Sequence, residues 1–510
     1  MRVLMAVLLF LTFAAWSMGS AVGGTPDEGY VLTSIWCANT PELKGLDDPA
    51  RDAPTTATGR PIFSKGETCR RDLDRPGTVW VSTRVAEPGM CYVSNGIFSA
   101  ACQKEPEMQL VSTDMLNSNL YPGTYLKFMN FLVEDDVQRG VVKMRLLNSL
   151  IAAVVIVFAL IANRRKSINL SIAFLSAIVP VGTNLISSVN TSSWAIVGTT
   201  VFTLSILAID VTKLRSKHTV LAVSLSAVGF SIANASRHET KYQLLLIFMF
   251  VSIYKYPNKL RPTLTKKTLK FGAITILFIY FLLRQFQNNP ISELLADLSF
   301  KKENAIALLI TNTINLPLFV TGFFGSWGLG SFDIILVQTA WLFPTAAFFI
   351  TYGSSMFGSS KRNKLLSVVM IGSLLMIILM YLQKYFVEIR DMVQPRYFFP
   401  FLIGIALTST ASRELIFSKS LVISVGLLTA ITNSIALRTS IRRYVTGQNL
   451  GITESLNSPR DWWWTDKDSG TTLWAPAPET VWLIGSLAFA MLFAVIIYER
   501  KLQSAETSKI

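Results

Sequence analysis

Apolar runs of about twenty residues recur along the whole chain, separated by short polar segments rich in lysine and arginine. A helix needs roughly 20 apolar residues to cross the ~30 Å hydrocarbon core of a bilayer. The pattern therefore predicts an all-α integral membrane protein with about 12 transmembrane helices, within a range of 11–13. The predicted spans are residues 3–22, 145–163, 168–189, 194–211, 219–235, 241–256, 271–287, 332–353, 364–384, 397–414, 419–437 and 480–498.

One further apolar run, residues 303–323, does not fit this alternation. A full crossing there would invert every segment that follows. The run also contains polar residues such as Asn312 and Thr313, together with Pro317, which is unusual for a lipid-facing helix. We therefore expect a re-entrant or interfacial helix that is protected by protein, and the alternative is a thirteenth span.

The same pattern divides the chain into seven segments, and it predicts a large first loop outside the cell. Small residues end the first apolar run, so a cleaved signal peptide and a retained signal-anchor both fit it. The segments are the signal-anchor or first helix (1–23), an extracytoplasmic disulfide-bearing loop (24–143), helices 2–7 (144–287), an outer loop with the re-entrant helix (288–331), helices 8–11 (332–437), an outer Trp-rich loop (438–479), and the last helix with a cytoplasmic tail (480–510).

The first loop is too long to be a simple connector between two helices. Within it, Val79-Trp80-Val81 and Cys91-Tyr92-Val93 have the composition of short β-strands. We expect this loop to form a small extracytoplasmic subdomain that rests on the membrane.

Composition and charge support this class and exclude others. The chain has 510 residues, of which 51% are hydrophobic and 15% charged, and a mean hydropathy of +0.43, which is not typical of a soluble globular protein. Its net charge of +15 comes from basic clusters that abut the ends of apolar runs. This is the positive-inside pattern, so we expect a plasma-membrane protein with cytoplasmic N- and C-termini and no nucleic-acid partner.

All four cysteines lie in the first loop, at Cys37, Cys69, Cys91 and Cys102. An even number of cysteines in an extracytoplasmic loop predicts two disulfides, and three pairings are open. A zinc site is the rival interpretation, but the chain has no Cys-x-x-Cys pair and neither histidine is near. The sequence therefore indicates no metal site; a divalent metal cofactor is not required by any pattern in it.

Two adjacent carboxylates, Asp27 and Glu28, follow the first apolar run directly. Carboxylates at a membrane boundary are costly unless water or chemistry uses them. Either one could accept the proton of a sugar hydroxyl while that oxygen attacks an anomeric carbon. The structural alternative is that Asp27 caps a short helix that begins near Tyr30.

Three arginines lie at predicted outer helix ends, namely Arg396, Arg145 and Arg237. The planar guanidinium fork of arginine suits a lipid phosphate. The alternative for each is an interfacial anchor whose charged head extends to water.

Asp333, Trp327 and Trp474 are candidate contacts for a sugar or an acceptor, because an aromatic plane can pack over a sugar ring. Trp327 and Asp333 lie in or beside a glycine-rich stretch that lacks the Gly-Lys-Ser/Thr of a phosphate loop. Trp474 and the run Trp462-Trp463-Trp464 could equally form an aromatic belt at the membrane interface.

Six short motifs follow one another along the chain. They are Pro26-Asp27-Glu28, Tyr121-Pro122, Lys143-Met144-Arg145-Leu146-Leu147, Gly325-Ser326-Trp327-Gly328 before Asp333, Pro395-Arg396-Tyr397-Phe398-Phe399-Pro400 and Trp474-Ala475-Pro476. In this order they resemble the domain-of-unknown-function 2142 family of bacterial polytopic membrane proteins, in its actinobacterial form. The resemblance covers roughly residues 20 to 500, and two departures are Gly29-Tyr30 where a histidine usually follows, and Gly123 where a second proline is usual.

The family in turn resembles the glycosyltransferase C superfold, whose members use polyprenyl-phosphate sugars and an acidic base just after the first span. By that resemblance Asp27 or Glu28 would be the base, and Arg396 or Arg145 would hold the donor phosphate. The expected function is sugar transfer from a membrane lipid donor to an envelope glycan or glycolipid. The alternatives are a transporter for a polar lipid or glycan and a non-catalytic partner in envelope assembly.

Overall fold

The computed structural model has an all-α membrane body and one small sheet, which confirms the predicted fold class. Its α-helices, numbered in chain order, account for most of the described residues. The structure describes residues 1–39, 68–72, 74–93, 96–104, 110–116, 121–134, 136–163, 166–210, 215–255, 291–329, 334–391, 393–411, 417–447, 456 and 476–507.

The first eight helices are α1 (Arg2–Met18), α2 (Glu28–Trp36), α3 (Thr83–Ala86), α4 (Met90–Val93), α5 (Gly123–Asn130), α6 (Val137–Ala162), α7 (Ser167–Ile178) and α8 (Val181–Ile186). Among them, α1 lies in the first predicted span and α2–α5 are short helices of the first loop. Helices α7 and α8 follow one another closely.

The remaining helices form most of the membrane body. They are α9 (Thr191–Ala208), α10 (Lys217–Asn234), α11 (Thr240–Lys255), α12 (Ile291–Gly322), α13 (Gln338–Phe357), α14 (Lys361–Tyr385), α15 (Phe399–Thr410), α16 (Lys419–Thr446) and α17 (Pro478–Thr507).

Within the described residues, six helices are long and apolar enough to cross a membrane. Large apolar side chains on their outer faces, such as Phe158 at 48% exposed, are typical of lipid contact. The exact count of twelve spans stays a prediction. The six are Val137–Ala162, Thr191–Ala208, Ala305–Gly322, Lys361–Tyr385, Lys419–Thr446 and Pro478–Leu502, and shorter apolar helices are Arg2–Met18, Ser167–Ile178 and Phe399–Thr410.

Close helix packing in the body depends on small residues, as is common in membrane proteins. Helices α9 and α10 approach where Gly198 meets Gly229: a Cβ on Gly198 would lie 2.4 Å from the backbone nitrogen of Ala233. A Cβ on Gly485 of α17 would lie 2.5 Å from the Cβ of Ala15 in α1. Helix α1 is therefore packed inside the bundle, where Phe13 and Trp16 are almost fully buried.

The bundle has two ends with different chemistry. At the terminal end, Arg2 lies 3.3 Å from Glu499 and donates to the Ser167 hydroxyl at 2.8 Å, so both ends of the described chain lie on the same side. There Lys255 donates to the last carbonyls of α9, including Ile206 O at 3.1 Å. We call the opposite end, where α1 ends and α6 begins, the loop end.

The first loop contains a three-stranded antiparallel sheet with the order β1 (Arg70–Arg71), β2 (Val79–Ser82) and β3 (Leu110–Thr113). This confirms the strand predicted at Val79-Trp80-Val81. The strand predicted at Cys91-Tyr92-Val93 is wrong: these residues lie in α4, where the Val93 amide donates to Gly89 O at 2.8 Å. A helical turn after Gly89 and the tertiary contacts of Tyr92 override the strand propensity of these residues.

Two disulfides confirm the prediction from the four cysteines, and the structure selects one of the three pairings. Cys37 pairs with Cys69, and Cys91 pairs with Cys102. The first disulfide joins the end of α2 to the segment before β1, and the second joins α4 to the short 3-10 helix Ala100–Lys104. Both therefore fasten the first loop beside the loop end of the bundle.

Helix α12 contains the run whose crossing the sequence leaves open. It contacts the last turn of α14 and the segment that follows: Gln383 donates to Ala305 O at 3.0 Å, and Asn312 donates to Val387 O at 3.0 Å. These two contacts are compatible with an interfacial or re-entrant helix. Residues 305–322 also meet the length and composition of a span, so the choice stays a prediction.

Candidate functional site

The stretch of chain that connects α1 to α2 is irregular backbone buried at the loop end. We call residues 17–26, which include the last two residues of α1, the anchored segment. Buried carbonyls outside regular structure need hydrogen-bond donors, and here side chains from several surrounding elements supply them. Arg145 donates to Ser17 O at 3.0 Å and Ala21 O at 2.8 Å, Ser440 to Gly19 O at 2.9 Å, Tyr92 to Val22 O at 2.7 Å, Tyr444 to Gly24 O at 2.8 Å, and Asn190 to Pro26 O.

Arg145 of α6 and Glu28 of α2 form a fully enclosed ion pair beside this segment. Both side chains are 0% exposed, and Arg145 Nη2 lies 2.7 Å from Glu28 Oε2. Arg145 Nε also donates to Glu28 Oε1 at 3.1 Å, so two guanidinium nitrogens bind the carboxylate. Glu28 Oε2 also accepts a hydrogen bond from the Gly23 amide at 2.9 Å.

This arrangement uses the whole hydrogen-bonding capacity of Arg145. Its Nη1 donates to Ser17 O and Ser20 O. Its Nη2 donates to Ala21 O and Glu28, and its Nε donates to Glu28. These carbonyls include the end of α1, where the negative end of the helix dipole favours a cation. The pair therefore ties three elements together and presents no surface to a ligand.

Asp27 lies at the N-terminal cap position of α2 with a left-handed backbone, φ 57°. The predicted short helix and the place of Asp27 at its cap are confirmed, but the Asp27 side chain makes no capping hydrogen bond. Instead, Arg396 Nη2 donates to both Asp27 carboxylate oxygens, at 2.8 and 2.9 Å. The Asp27 side chain is 26% exposed and that of Arg396 is 7% exposed.

Arg396 is held in place by a rigid turn at the loop end. It lies in the 3-10 helix Pro395–Tyr397, directly before α15. Gly322 at the end of α12 permits the close approach of Pro395, because a Cβ on Gly322 would lie 2.6 Å from the proline Cγ. Trp327 packs against Phe319 of the same helix and donates to Leu318 O at 3.0 Å.

A second arginine lies next to this pair. The guanidinium of Arg237, in the turn between α10 and α11, lies 4.8 Å from the ring centre of Tyr397 and 5.9 Å from that of Tyr121. Arg396 lies 5.3 Å from the ring centre of Tyr397 as well. Both guanidinium groups therefore lie against the same ring, and Arg396 also pairs with Asp27.

Hydrogen bonds connect Arg237 to the anchored segment. Arg237 donates to Glu239 at 2.6 Å and to the Ser192 hydroxyl at 3.0 Å. The Ser192 amide donates to Asn190 Oδ1 at 2.7 Å at the start of α9, and Asn190 donates to Pro26 O. The position of Arg237 is therefore fixed relative to Asp27 through three short links.

Tyr121 completes one side of the cluster. Burial raises the pKa of the Tyr121 phenol and the nearby Asp27 carboxylate raises it further, while Arg237 and Arg396 act in the opposite direction. The phenol therefore stays protonated at neutral pH, so that it can donate a hydrogen bond to an anion or a hydroxyl.

The structure brings together some of the predicted site residues and separates others. Asp27, Arg396 and Arg237 form one cluster, whereas Glu28 and Arg145 form the enclosed pair next to it. Trp327 is 9% exposed and packs in an aromatic group behind Arg396. Asp333 and Trp474 lie outside the described residues, and in the part of the chain that is described no group of three His, Cys, Asp or Glu side chains could hold a metal ion.

Sequence reasoning did not assign a role to Tyr121, Tyr397, Asn190 or Ser192. A signal was present for each of them: both tyrosines lie in motifs that carry the family resemblance, and the Asn-x-Ser spacing is that of a helix cap whose side chain bonds the amide two residues on. What the spacing cannot give is that the fold brings these residues close to Asp27, which is separated from each of them by more than ninety residues of chain.

The cluster as a whole combines a partly exposed carboxylate, two guanidinium groups and two phenols at the loop end. A carboxylate can take a proton, guanidinium groups can bind phosphate, and phenol rings can position a hydroxyl or a sugar. No curated protein and no solved structure matches the chain. The family model DUF2142, described as a predicted membrane protein, matches residues 10–405, so the chain belongs to this family.

Proposed function

We propose that this protein transfers a sugar from a polyprenyl-phosphate donor to a hydroxyl of a cell-envelope glycan or glycolipid. In this proposal the loop end faces the outside of the plasma membrane and both chain termini face the cytoplasm. The basic residues at the terminal end, such as Lys255 and Arg362, support this orientation by the positive-inside rule. The resemblance to the glycosyltransferase C superfold supports the reaction class.

The observation that carries the proposal is the pairing of Asp27 with Arg396. A carboxylate with 26% of its side chain exposed lies at the start of α2 against an arginine that is only 7% exposed. The left-handed backbone at Asp27 is costly for a residue other than glycine, and such strain clusters at functional sites. The anchored segment supplies the rigid support that this conformation needs.

In the proposed reaction, the Asp27 carboxylate accepts the proton of the acceptor hydroxyl. The acceptor oxygen forms a bond to the anomeric carbon of the donor sugar, and the bond between that carbon and the phosphate oxygen breaks. The singly charged phosphodiester becomes a phosphate monoester with one more negative charge. Arg396 stabilises that charge, and Arg237, which lies against the same Tyr397 ring, shares it.

Glu28 and Arg145 have a different part in this proposal. Because their side chains are enclosed and fully bonded to one another and to the anchored segment, we assign them to holding Asp27 in position rather than to contact with substrate. Of the two carboxylates that the sequence offers as a base, the geometry favours Asp27. Of the arginines offered to the donor phosphate, it favours Arg396.

Native mass spectrometry of the protein purified in a mild detergent tests this function. We expect a bound polyprenyl-phosphate sugar that accumulates in Asp27→Asn, because the base that consumes it is lost, and that is missing from Arg396→Gln. Asp391→Asn is the matched control, since it removes one carboxylate from the exposed segment five residues before Arg396.

Only bulk phospholipid in all four proteins would contradict the proposal. That result would favour a transporter for a polar lipid or a non-catalytic partner in envelope assembly. Unchanged sugar transfer by Asp27→Asn in a reconstituted assay would contradict the proposal as well. Among the described residues of this cluster, Asp27 is the carboxylate that pairs with Arg396 and is the proposed base.

A further inference from the structure

The charges of the candidate site cancel before any ligand arrives. Arg396 is paired with Asp27, and Arg237 is paired with Glu239. A phosphate that approaches these two arginines therefore meets two cations whose charge is already balanced by two carboxylates. A phosphate that binds Arg396 closely therefore competes with the Asp27 carboxylate for the same guanidinium charge.

The Asp27–Arg396 pair has the geometry of a contact that can exchange. A single nitrogen, Nη2, serves both oxygens of Asp27, whereas two nitrogens of Arg145 bind Glu28. A carboxylate bound by the two-nitrogen fork is held more strongly than one bound at a single nitrogen. Water also reaches Asp27, which weakens the attraction and gives the displaced carboxylate a solvated place to go.

The arginine, in contrast, stays in place when the carboxylate moves. Its backbone lies in the rigid turn after Pro395, and its guanidinium rests 5.3 Å from the ring centre of Tyr397. The moving partner of the pair is therefore Asp27, whose side chain turns about its own bonds while the anchored segment holds its backbone.

We propose that the phosphate of the donor lipid displaces Asp27 from Arg396, so that the event that binds the donor also releases the catalytic base. This inference rests on the proposed function, and it deepens that function by fixing the order of binding: the donor enters first, and the acceptor hydroxyl meets a free carboxylate afterwards.

Displacement also frees the Asp27 carboxylate for the acceptor. In the pair, both of its oxygens accept hydrogen bonds from Arg396 Nη2. After the exchange these oxygens are available to the acceptor hydroxyl. One singly charged phosphodiester replaces one carboxylate on one guanidinium, so the charge on Arg396 stays balanced.

Binding of farnesyl phosphate to the full-length protein in detergent tests this exchange. Farnesyl phosphate carries a phosphate on a prenyl chain but no sugar, so turnover cannot change the amount bound. If Asp27 competes with the phosphate, Asp27→Asn binds it more tightly than wild type, by roughly threefold to tenfold, as expected for release of a partly exposed ion pair. Arg396→Gln loses the binding, and the control Asp391→Asn, which changes net charge equally, stays within about twofold of wild type.

Equal affinity of wild type and Asp27→Asn for farnesyl phosphate would overturn the exchange while leaving donor binding intact. A gain in Asp391→Asn as large as in Asp27→Asn would overturn it too, because net charge would then explain the effect. No binding by any of the proteins would overturn both the exchange and the proposed function. Thermal unfolding of each variant in the same detergent shows that a loss of binding is not a loss of fold.

Discussion

Two neighbouring carboxylates of this protein form two ion pairs with opposite properties. Glu28 and Arg145 are enclosed, joined by two nitrogens of the guanidinium and bonded to the backbone on every side. Asp27 and Arg396 are joined through one nitrogen, and water reaches the carboxylate. Adjacent residues of the same charge thus have different surroundings: the carboxylate of Glu28 is enclosed, and the carboxylate of Asp27 is in contact with water.

The local backbone produces this difference. Asp27 has φ 57°, and α2 begins at the next residue, so the two successive side chains leave the chain in different directions. Glu28 points back to the end of α1, where Arg145 pairs with its carboxylate and donates hydrogen bonds to the backbone carbonyls. Asp27 points to the turn that carries Arg396, near the surface of the loop end.

The largest expected effect is the weakening of the enclosed pair. Lysine has three donors and arginine five, so Arg145→Lys keeps the charge but leaves buried oxygens without donors. Each such oxygen costs roughly 1–3 kcal/mol, so we expect Arg145→Lys to lower stability by that amount or more, or to prevent folding. Arg396→Lys is the matched variant and should cost about 1 kcal/mol or less. Thermal unfolding in detergent measures both; equal losses would remove the distinction between the pairs.

The second effect is on activity. We expect Asp27→Asn to lower sugar transfer by about a hundredfold or more, because general-base catalysis commonly contributes 10²–10⁴-fold. Its stability should change little, since the isosteric side chain can keep one hydrogen bond to Arg396. Transfer in a reconstituted assay, with Asp391→Asn as control, measures the change. Full activity of Asp27→Asn would contradict the role of Asp27 as the base and would leave it a structural role only.

A smaller effect is expected at the anchored segment. Tyr444→Phe removes the donor to Gly24 O, and an unsatisfied buried carbonyl costs roughly 1–3 kcal/mol. Tyr498→Phe, on an exposed side chain of α17, is the matched control and should be neutral within about 0.5 kcal/mol. Unfolding midpoints of the two variants give the comparison. If they agreed, the hydrogen bonds of the anchored segment would not be what fixes Asp27.

The smallest effect concerns the strained backbone at Asp27. Glycine adopts φ 57° without the cost of roughly 1–2 kcal/mol that other residues bear there. Because Asp27→Gly relieves this strain while it removes a weak ion pair, we expect its stability to stay within about 1 kcal/mol of wild type although activity is lost. Asp27→Ala keeps the strain and should be less stable than Asp27→Gly. The reverse order of these two unfolding midpoints would show that the aspartate stabilises the fold.

Much of the architecture could be predicted from the sequence because it depends on local pattern. Apolar runs of sufficient length predict helices wherever they occur, and four cysteines in one loop predict two disulfides. The pairing Cys37–Cys69 and Cys91–Cys102 depends on how the loop folds, which the spacing does not contain. The short helix Met90–Val93 was missed for the same kind of reason, since its contacts come from distant residues.

The candidate site could be predicted only as a set of residue types. The position of Asp27 after the first helix indicated a carboxylate at the membrane boundary, and Arg396 indicated a cation at the same depth. Their contact joins residues that are 369 positions apart. The division of work between Asp27 and Glu28 also lies beyond a sequence pattern, because it depends on a backbone angle and on which side chain is enclosed.

The most direct test of this division compares Asp27→Asn with Glu28→Gln by thermal unfolding of the two purified proteins in the same detergent. Each variant replaces a carboxylate by its isosteric amide, and the two positions are adjacent. The two-pair account predicts an unfolding temperature close to wild type for Asp27→Asn. For Glu28→Gln it predicts a fall of at least about 5 °C, because the buried charge of Arg145 is left uncompensated. Equal shifts, or a larger fall for Asp27→Asn, would contradict it.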